Sequence, residues 1–313
     1  MLKDLEAHFR GCLLGLAIGD ALGGPVEFMD ARSIEKKHGR VKEMIGGGWL
    51  HLKPGQYTDD TQMALCLAQS LVEKNAFDAE DIVARFVAWL NSNPPDVGNH
   101  TRAVLSKIDA SGSDWKSAST GVQRVNPQSA GNGSLMRCAP IALWDFSDVS
   151  KRLEHSRVQS EITHAHQECQ WSCALLNSFI FHLMDVGVRD VALDRALSEC
   201  RDAPGHIRKR VQLAPGKVKS ELKPTGYVLD TLDCAVWAFM NSDGFEDALV
   251  AAVNLGGDAD TNGAVCGALA GAFYGERDIP ARWLEVLQDR QQIAQLATSI
   301  ALRQKEGPQS STR

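Results

Sequence analysis

Apolar residues recur at helical spacing along most of the chain. Residues 60–74 and 80–90 each place their apolar side chains on one stripe, the pattern of an amphipathic helix. The same pattern predicts further helices over residues 167–184, 190–200, 227–240, 245–253 and 280–302. Pro280 suits a first helical position, where its missing N–H costs nothing. Because convincing strand-like alternation is missing, we predict one all-α domain over residues 1–303, followed by a polar flexible tail over residues 304–313.

Glycine recurs at helical spacing in two predicted helices. A glycine inside a helix costs about 1 kcal/mol relative to alanine, so three on one face suggest a flat ridge that another helix approaches closely. Each of these helices adjoins an acidic turn, and close packing would bring the two turns together. The glycines are Gly11, Gly15 and Gly19 in the first helix and Gly263, Gly267 and Gly271 in the second.

Composition excludes several classes of protein. The 313 residues include 33 Lys and Arg against 39 Asp and Glu, and this acidic balance argues against nucleic acid as the main partner. The apolar run over residues 11–19 is too short to span a membrane, so no integral membrane segment is expected. Eight cysteines without a CxxC pair indicate buried thiols in a reducing cytoplasm. We predict a monomer because no sustained exposed apolar stripe is evident.

Two acidic clusters stand at predicted helix starts. Acidic and threonine side chains there are ordinarily helix caps, but two such clusters brought together would repel unless cations lay between them. Their ligands are all oxygen, which favours Mg²⁺ or Mn²⁺ over zinc or copper, and four carboxylates could hold two ions. The clusters are Thr58, Asp59 and Asp60, and Asp258, Asp260 and Thr261.

The roles of three further features stay open from the sequence alone. The glycine-rich turn over residues 131–134 could direct backbone N–H groups at an anion, although most such turns are only turns. His164 lies in a His-x-His pair that suits either metal binding or a hydrogen-bonding core position. Asp96 is a lone carboxylate in a turn-forming segment, and its spacing alone does not make it catalytic.

Taken in order, these segments resemble the ADP-ribosylglycohydrolase family. The resemblance runs from residue 11 to about residue 275. Its motifs are residues 19–23 with Glu27, then residues 58–61, 131–133, 163–164 and 257–261. Residues 44–56 and 96–99 narrow the resemblance to the branch of that family that acts on dinitrogenase reductase.

The resemblance implies a fold, a cofactor and a substrate. The fold would be a single-domain orthogonal helical bundle, with the six residues of the acidic clusters holding two Mn²⁺ or Mg²⁺ ions. The substrate would be ADP-ribose on an arginine of an acceptor protein, dinitrogenase reductase in particular. The substrate cleft would include Asp96 as the preferred acid/base group, Glu27 as a second catalytic carboxylate, and Gly131, Asn132, Gly133, His164 and Tyr227 as substrate-binding residues.

Other interpretations stay open at this stage. A hydrolase of the same fold could act on another acceptor or linkage, whereas a non-catalytic nucleotide-binding or structural relative would be expected to lack metal ligands. The resemblance also suggests a PII-type signalling protein as regulator and regulated peripheral association with the membrane. Residues 208–223 carry six Lys or Arg and form either a solvated loop or a contact for an acidic partner.

Overall fold

The computed structural model describes residues 4–112 and 114–306, which form α-helices and no β-strand. Short 3₁₀ turns cover Gly24–Val26, Ala214–Gly216, Lys219–Glu221 and Glu276–Asp278. The predicted all-α fold is therefore confirmed. The helices are α1 (Leu5–Gly23), α2 (Ala31–His38), α3 (Asp59–Lys74), α4 (Ala79–Asn91), α5 (Asn99–Ser111), α6 (Trp115–Val125), α7 (Ala139–Trp144), α8 (Val149–Glu161), α9 (Gln167–Val186), α10 (Arg189–Glu199), α11 (Gly205–Leu213), α12 (Val228–Met240), α13 (Phe245–Val253), α14 (Ala259–Tyr274), α15 (Ala281–Val286) and α16 (Arg290–Glu306).

The single helix predicted over residues 280–302 is wrong, because α15 and α16 are separated by a corner. Asp289 adopts a left-handed conformation there, with φ of 52°. Its carboxylate accepts a hydrogen bond of 2.7 Å from the Tyr57 hydroxyl, and the Gln288 N–H donates to the Gly55 carbonyl at 3.0 Å. The segment before α3 therefore holds the corner in place. Pro280 precedes α15 rather than occupying its first position.

The glycine ridges of α1 and α14 face each other in antiparallel orientation. A Cβ placed on Gly19 would lie 1.9 Å from the carbonyl oxygen of Gly263, and one on Gly267 would lie 2.0 Å from that of Gly15. The backbones are therefore in direct contact, as the spacing of the glycines predicts. The same approach sets the last turn of α1 against the first turn of α14, where Gly23 meets Ala259.

Substitution on the ridge is expected to destabilise the fold. Gly19→Ala should lower the free energy of unfolding by about 3 kcal/mol, because the added methyl group can only be accommodated by separating two backbones. Gly205→Ala is the matched control, since a Cβ on Gly205 meets no atom within 4 Å. Urea denaturation of both variants measures the difference, and equal midpoints would contradict the ridge as a close-packed contact.

Two further expectations from the sequence concern membrane-spanning segments and the C-terminal tail. No helix within residues 4–112 and 114–306 combines the length and apolar character needed to cross a membrane. The last helix continues to Glu306, three residues into the segment expected to be a polar tail. Residues 307–313 of that segment lie outside the described residues.

Candidate functional site

A cavity of about 520 Å³ opens where the C-terminal end of α1 approaches the N-terminal ends of α3 and α14. It brings together most of the site residues predicted from the sequence. Thr58 and Tyr227 are not among its lining residues. Those that line it are Glu27, Asp59, Asp60, Asp96, Gly131, Asn132, Gly133, His164, Asp258, Asp260 and Thr261.

Asp20, near the end of α1, fixes the first acidic cluster. Its buried carboxylate accepts hydrogen bonds from the backbone N–H and hydroxyl of Thr58, both at 2.9 Å, and from those of Thr61 at 3.0 and 2.6 Å. Burial raises the pKa of Asp20 to about 6, while these hydrogen bonds oppose the rise. Because the Thr58 hydroxyl donates to Asp20, its oxygen keeps lone pairs that a cation could use.

The second acidic cluster is tied to the glycine-rich turn by Asn132. The side-chain amide of Asn132 donates to Asp258 Oδ2 at 2.5 Å and to the Thr231 hydroxyl at 2.8 Å. At the start of α14, Asp260 accepts a hydrogen bond of 2.8 Å from the backbone N–H of Thr261. The turn and the second cluster therefore keep a fixed relation to each other.

The clustered carboxyl groups cannot all ionise easily without a cation. Burial first, and then the charge of Asp96, raises the pKa of Asp59 to about 8. Burial and neighbouring carboxylates hold the pKa values of Asp60 and Asp260 well above the ordinary range. Among the described residues, no hydrogen-bond donor reaches the buried Oδ1 of Asp60. An unpaired oxygen in an all-oxygen cluster suits a hard divalent cation, so the residues present fit such an ion.

Glu27 and Asp96 lie at the same cluster. Each offers a carboxylate oxygen within 4.8 Å of the other and of one from Asp260, and the three could hold a metal ion. Burial raises the pKa of Asp96, and burial raises that of Glu27 to about 8 against an opposing hydrogen bond from Trp49. The sequence interpretation placed Glu27 and Asp96 in catalysis alone; the structure adds that both are close enough to share a cation with Asp260.

The raised pKa values predict that the metal-free protein loses stability as the pH rises. A carboxyl group whose pKa is higher in the folded than in the unfolded state stabilises the fold at low pH, and that contribution disappears as the pH passes its folded pKa. This window runs from about pH 4, the unfolded value, to about pH 6 for Asp20 and to about pH 8 for Glu27 and Asp59. The melting temperature of EDTA-treated protein should therefore fall between pH 5 and pH 8.

Two comparisons make this prediction specific to the cluster. Adding Mn²⁺ should raise the melting temperature more at pH 8 than at pH 5, since cation binding requires ionised carboxylates. An Asp60→Asn variant should show a weaker fall with pH, because it removes one of the groups whose pKa is raised most. A wild-type melting temperature that climbs from pH 5 to pH 8 would contradict the assignment.

The glycine-rich turn forms a part of the cavity wall that His164 supports. His164 is buried, and burial lowers its pKa well below the ordinary range, so its ring is neutral near pH 7. Its Nδ1 lies 2.8 Å from the Thr163 hydroxyl. A Cβ on Gly133 would lie 2.9 Å from the His164 ring, which explains a glycine at that position. The turn is thus pressed against the histidine.

Tyr227 lies behind the cavity wall. Its hydroxyl donates to Glu168 at 2.7 Å, and the Arg210 guanidinium lies 5.5 Å from the centre of its ring. Gly226, the residue before it, does line the cavity. The assignment of Tyr227 as a substrate-binding residue therefore stays a prediction.

Sequence reasoning missed three residues that shape the site. Asp20 was recognised only as part of a motif, and its anchoring role depends on distant hydrogen bonds. Phe28 and Trp49 line the cavity although 69% and 51% of their surfaces are exposed. The available signal was an aromatic residue directly after the cleft carboxylate Glu27.

Comparison with known proteins gives consistent results. A family model described as ADP-ribosylglycohydrolase matches residues 1–310. The ADP-ribosyl-[dinitrogen reductase] glycohydrolase of Rhodospirillum rubrum is 39% identical over 280 residues, which cover 88% of this chain and 89% of that protein. The ADP-ribosylarginine hydrolase Tri1 of Serratia proteamaculans is 35% identical over 303 residues, covering 93% and 78% respectively. A solved structure described as an ADP-ribosylglycohydrolase-related protein complex aligns with a TM-score of 0.80 and 34% identity, covering 96% of this chain and 98% of that one.

Proposed function

The chain belongs to the ADP-ribosylglycohydrolase family, and from this premise we propose that it hydrolyses the N-glycosidic bond between ADP-ribose and an arginine of an acceptor protein, with dinitrogenase reductase as the preferred acceptor. One observation supports this most strongly. Two acidic clusters, 198 residues apart between Asp60 and Asp258, converge on a single cavity with Asp96 and a glycine-rich turn. That combination provides oxygen ligands, an acid/base carboxyl group and backbone donors for a pyrophosphate.

We assign the cation ligands to the two clusters. Thr58, Asp59 and Asp60 would hold cations from one side, and Asp258, Asp260 and Thr261 from the other. The unpaired Oδ1 of Asp60 and the all-oxygen donor set support Mn²⁺ or Mg²⁺, and the four carboxylates suffice for two ions. When bound, such ions polarise substrate oxygens and lower the pKa of water.

The chain's own residues supply the acid/base chemistry. Burial raises the pKa of Asp96, which favours the protonated carboxyl group that a general acid needs. This carboxyl group gives its proton to the guanidine nitrogen as the bond to the ribose carbon breaks through an oxocarbenium-like state. Water then adds its hydroxyl to that carbon and returns a proton to Asp96. Glu27, oriented by the Trp49 N–H at 2.7 Å, lies beside the same cluster and helps to position the reacting groups.

The remaining wall binds the nucleotide. The backbone N–H groups of Gly131 and Gly133 hold the pyrophosphate, since that of Asn132 donates to the Gly226 carbonyl at 3.1 Å, while neutral His164 shapes the turn without adding charge. The acceptor could differ from dinitrogenase reductase, since one relative carries the broader name of ADP-ribosylarginine hydrolase. Regulation by a PII-type protein and by membrane association stays a prediction.

A release assay tests this proposal. The protein is incubated with arginine-ADP-ribosylated dinitrogenase reductase and, in parallel, with an unrelated protein ADP-ribosylated on arginine, each with Mn²⁺ or with EDTA. We expect Mn²⁺-dependent release of ADP-ribose, faster from dinitrogenase reductase. Equal rates on the two acceptors would favour a general ADP-ribosylarginine hydrolase. No release from either substrate with metal bound would contradict the proposed linkage.

A further inference from the structure

Two exposed aromatic side chains stand together at the rim of the cavity. The rings of Phe28 and Trp49 lie 5.7 Å apart between centroids, tilted by 37°. Both residues line the cavity with Glu27 and Asp96. Large aromatic groups usually lose much of their surface on folding, so a pair left open beside an active site is available for a ligand.

The backbone is held so that Phe28 stays exposed. Phe28 has a φ of 63°, in the left-handed region that residues with a side chain seldom adopt. Its N–H donates to the Gly257 carbonyl at 2.7 Å, and the Gly257 N–H donates to the Met29 carbonyl at 2.7 Å. The strained conformation is therefore fixed by the loop that leads to Asp258. Strain maintained in this way is concentrated at functional sites.

The neighbouring turn holds Trp49 at the same rim of the cavity as Phe28. Gly48 has a φ of 72°, and a Cβ on it would lie 2.9 Å from the Cα of Pro25. The turn thus packs directly on the segment that carries Glu27. The Trp49 indole N–H donates to Glu27 Oε2 at 2.7 Å, which fixes the ring, and 51% of the Trp49 surface stays exposed and available for stacking.

The aromatic rings together with the neighbouring charge indicate which part of the substrate this surface suits. The aromatic pair adjoins the carboxyl groups of Glu27 and Asp96, and the Trp49 indole N–H donates to Glu27. The anionic pyrophosphate is assigned to the turn. Aromatic faces beside carboxylates attract a cation, and a planar guanidinium stacks on such faces particularly well.

We infer that Phe28 and Trp49 form the acceptor subsite, where they stack on the guanidinium and side chain of the arginine that carries ADP-ribose. This assignment rests on the proposed function. It makes the aromatic pair a specificity determinant for arginine, in addition to the groups that act on the scissile bond. The subsite also explains why both rings are open to solvent, since the arginine enters attached to a protein.

Steady-state kinetics with ADP-ribosyl-arginine tests the subsite in Phe28→Ala, Trp49→Ala and Trp49→Phe variants. We expect KM to rise about 3- to 30-fold in the two alanine variants, the range from an exposed to a desolvated cation–π contact. Trp49→Phe keeps a ring but loses the hydrogen bond to Glu27, so its KM should stay within about threefold of wild type. The inhibition constant of free ADP-ribose, which lacks the acceptor, should change less than twofold in all three variants.

Trp237→Phe is the matched control, because its indole N–H also donates to an oxygen, the Lys217 carbonyl at 2.8 Å, outside the cavity. Wild-type KM in the alanine variants would overturn the subsite. So would a parallel rise in the ADP-ribose inhibition constant, which would place the nucleotide on the rings. A Trp49→Phe enzyme as impaired as Trp49→Ala would assign the effect to Glu27 instead. Wild-type protein that releases no ADP-ribose would overturn the proposed function itself, before any variant is compared.

Discussion

Asp60→Asn and Asp260→Asn enzymes are expected to release ADP-ribose at least about a thousandfold more slowly than wild type. The two carboxylates come from opposite acidic clusters, both are buried, and both are raised in pKa by their neighbours. Replacing either should remove a proposed anionic ligand and with it about 4 kcal/mol of transition-state stabilisation. Initial rates at saturating Mn²⁺ measure the loss, and calorimetry reports the accompanying loss of metal affinity.

The same substitutions should stabilise the metal-free fold. Each one removes a buried carboxyl group that its neighbours repel, so the melting temperature in EDTA should rise by a few degrees at pH 8. Asp247→Asn is the control, since Asp247 also lies in the first turn of a helix but is exposed. Its rate and melting temperature should match wild type. Near-normal turnover in Asp60→Asn would contradict the assignment of that residue as a ligand.

Asp96→Asn is expected to lower kcat by about 10²- to 10⁴-fold, the usual contribution of a positioned acid/base group. Asparagine has nearly the same shape but cannot exchange the proton that the leaving guanidine requires. We expect Mn²⁺ affinity to change by less than tenfold, because the clusters from α3 and α14 keep their ligands. Rates and metal titrations on the same preparation provide both numbers.

The paired measurement distinguishes two roles for Asp96. Its carboxylate lies within reach of the oxygens of Glu27 and Asp260, so it could serve as a cation ligand instead. A large loss of metal affinity in Asp96→Asn, with turnover restored by excess Mn²⁺, would assign Asp96 to metal binding. Loss of turnover at full metal occupancy would support the acid/base role.

Part of the fold and of the candidate site could be predicted from the sequence, because it depends on local sequence alone. Glycines four residues apart predict a flat helix face whatever surrounds it, and α1 and α14 do pack through those faces. Likewise α13 matches its predicted range at both ends, because its apolar positions recur at helical spacing. The acidic clusters could be located because each combines carboxylates with a threonine at a helix start.

Other features depend on distant partners and could not be predicted. The corner between α15 and α16 is held by Tyr57, which is 232 residues from Asp289. Helix α8 buries polar residues instead of an apolar stripe: the Arg152 guanidinium is fully buried, bonded to Glu199 at 2.7 Å and stacked over Phe181. A hydrophobic pattern cannot reveal such a helix. The hydrogen bond between Trp49 and Glu27 similarly appears only in the folded chain.

The contact between α1 and α14 also affects when the protein can become active during its synthesis. The two glycine ridges are roughly 250 residues apart in the sequence, which is on the order of 10 to 50 seconds of translation. Helix α1 is buried along most of its length in the finished fold, so its apolar surface has no partner from α14 during that interval. The proposed cation ligands Asp258 and Asp260 emerge just ahead of the glycines of α14. A nascent chain therefore cannot assemble the complete site, and hydrolytic activity begins only after α14 has left the ribosome.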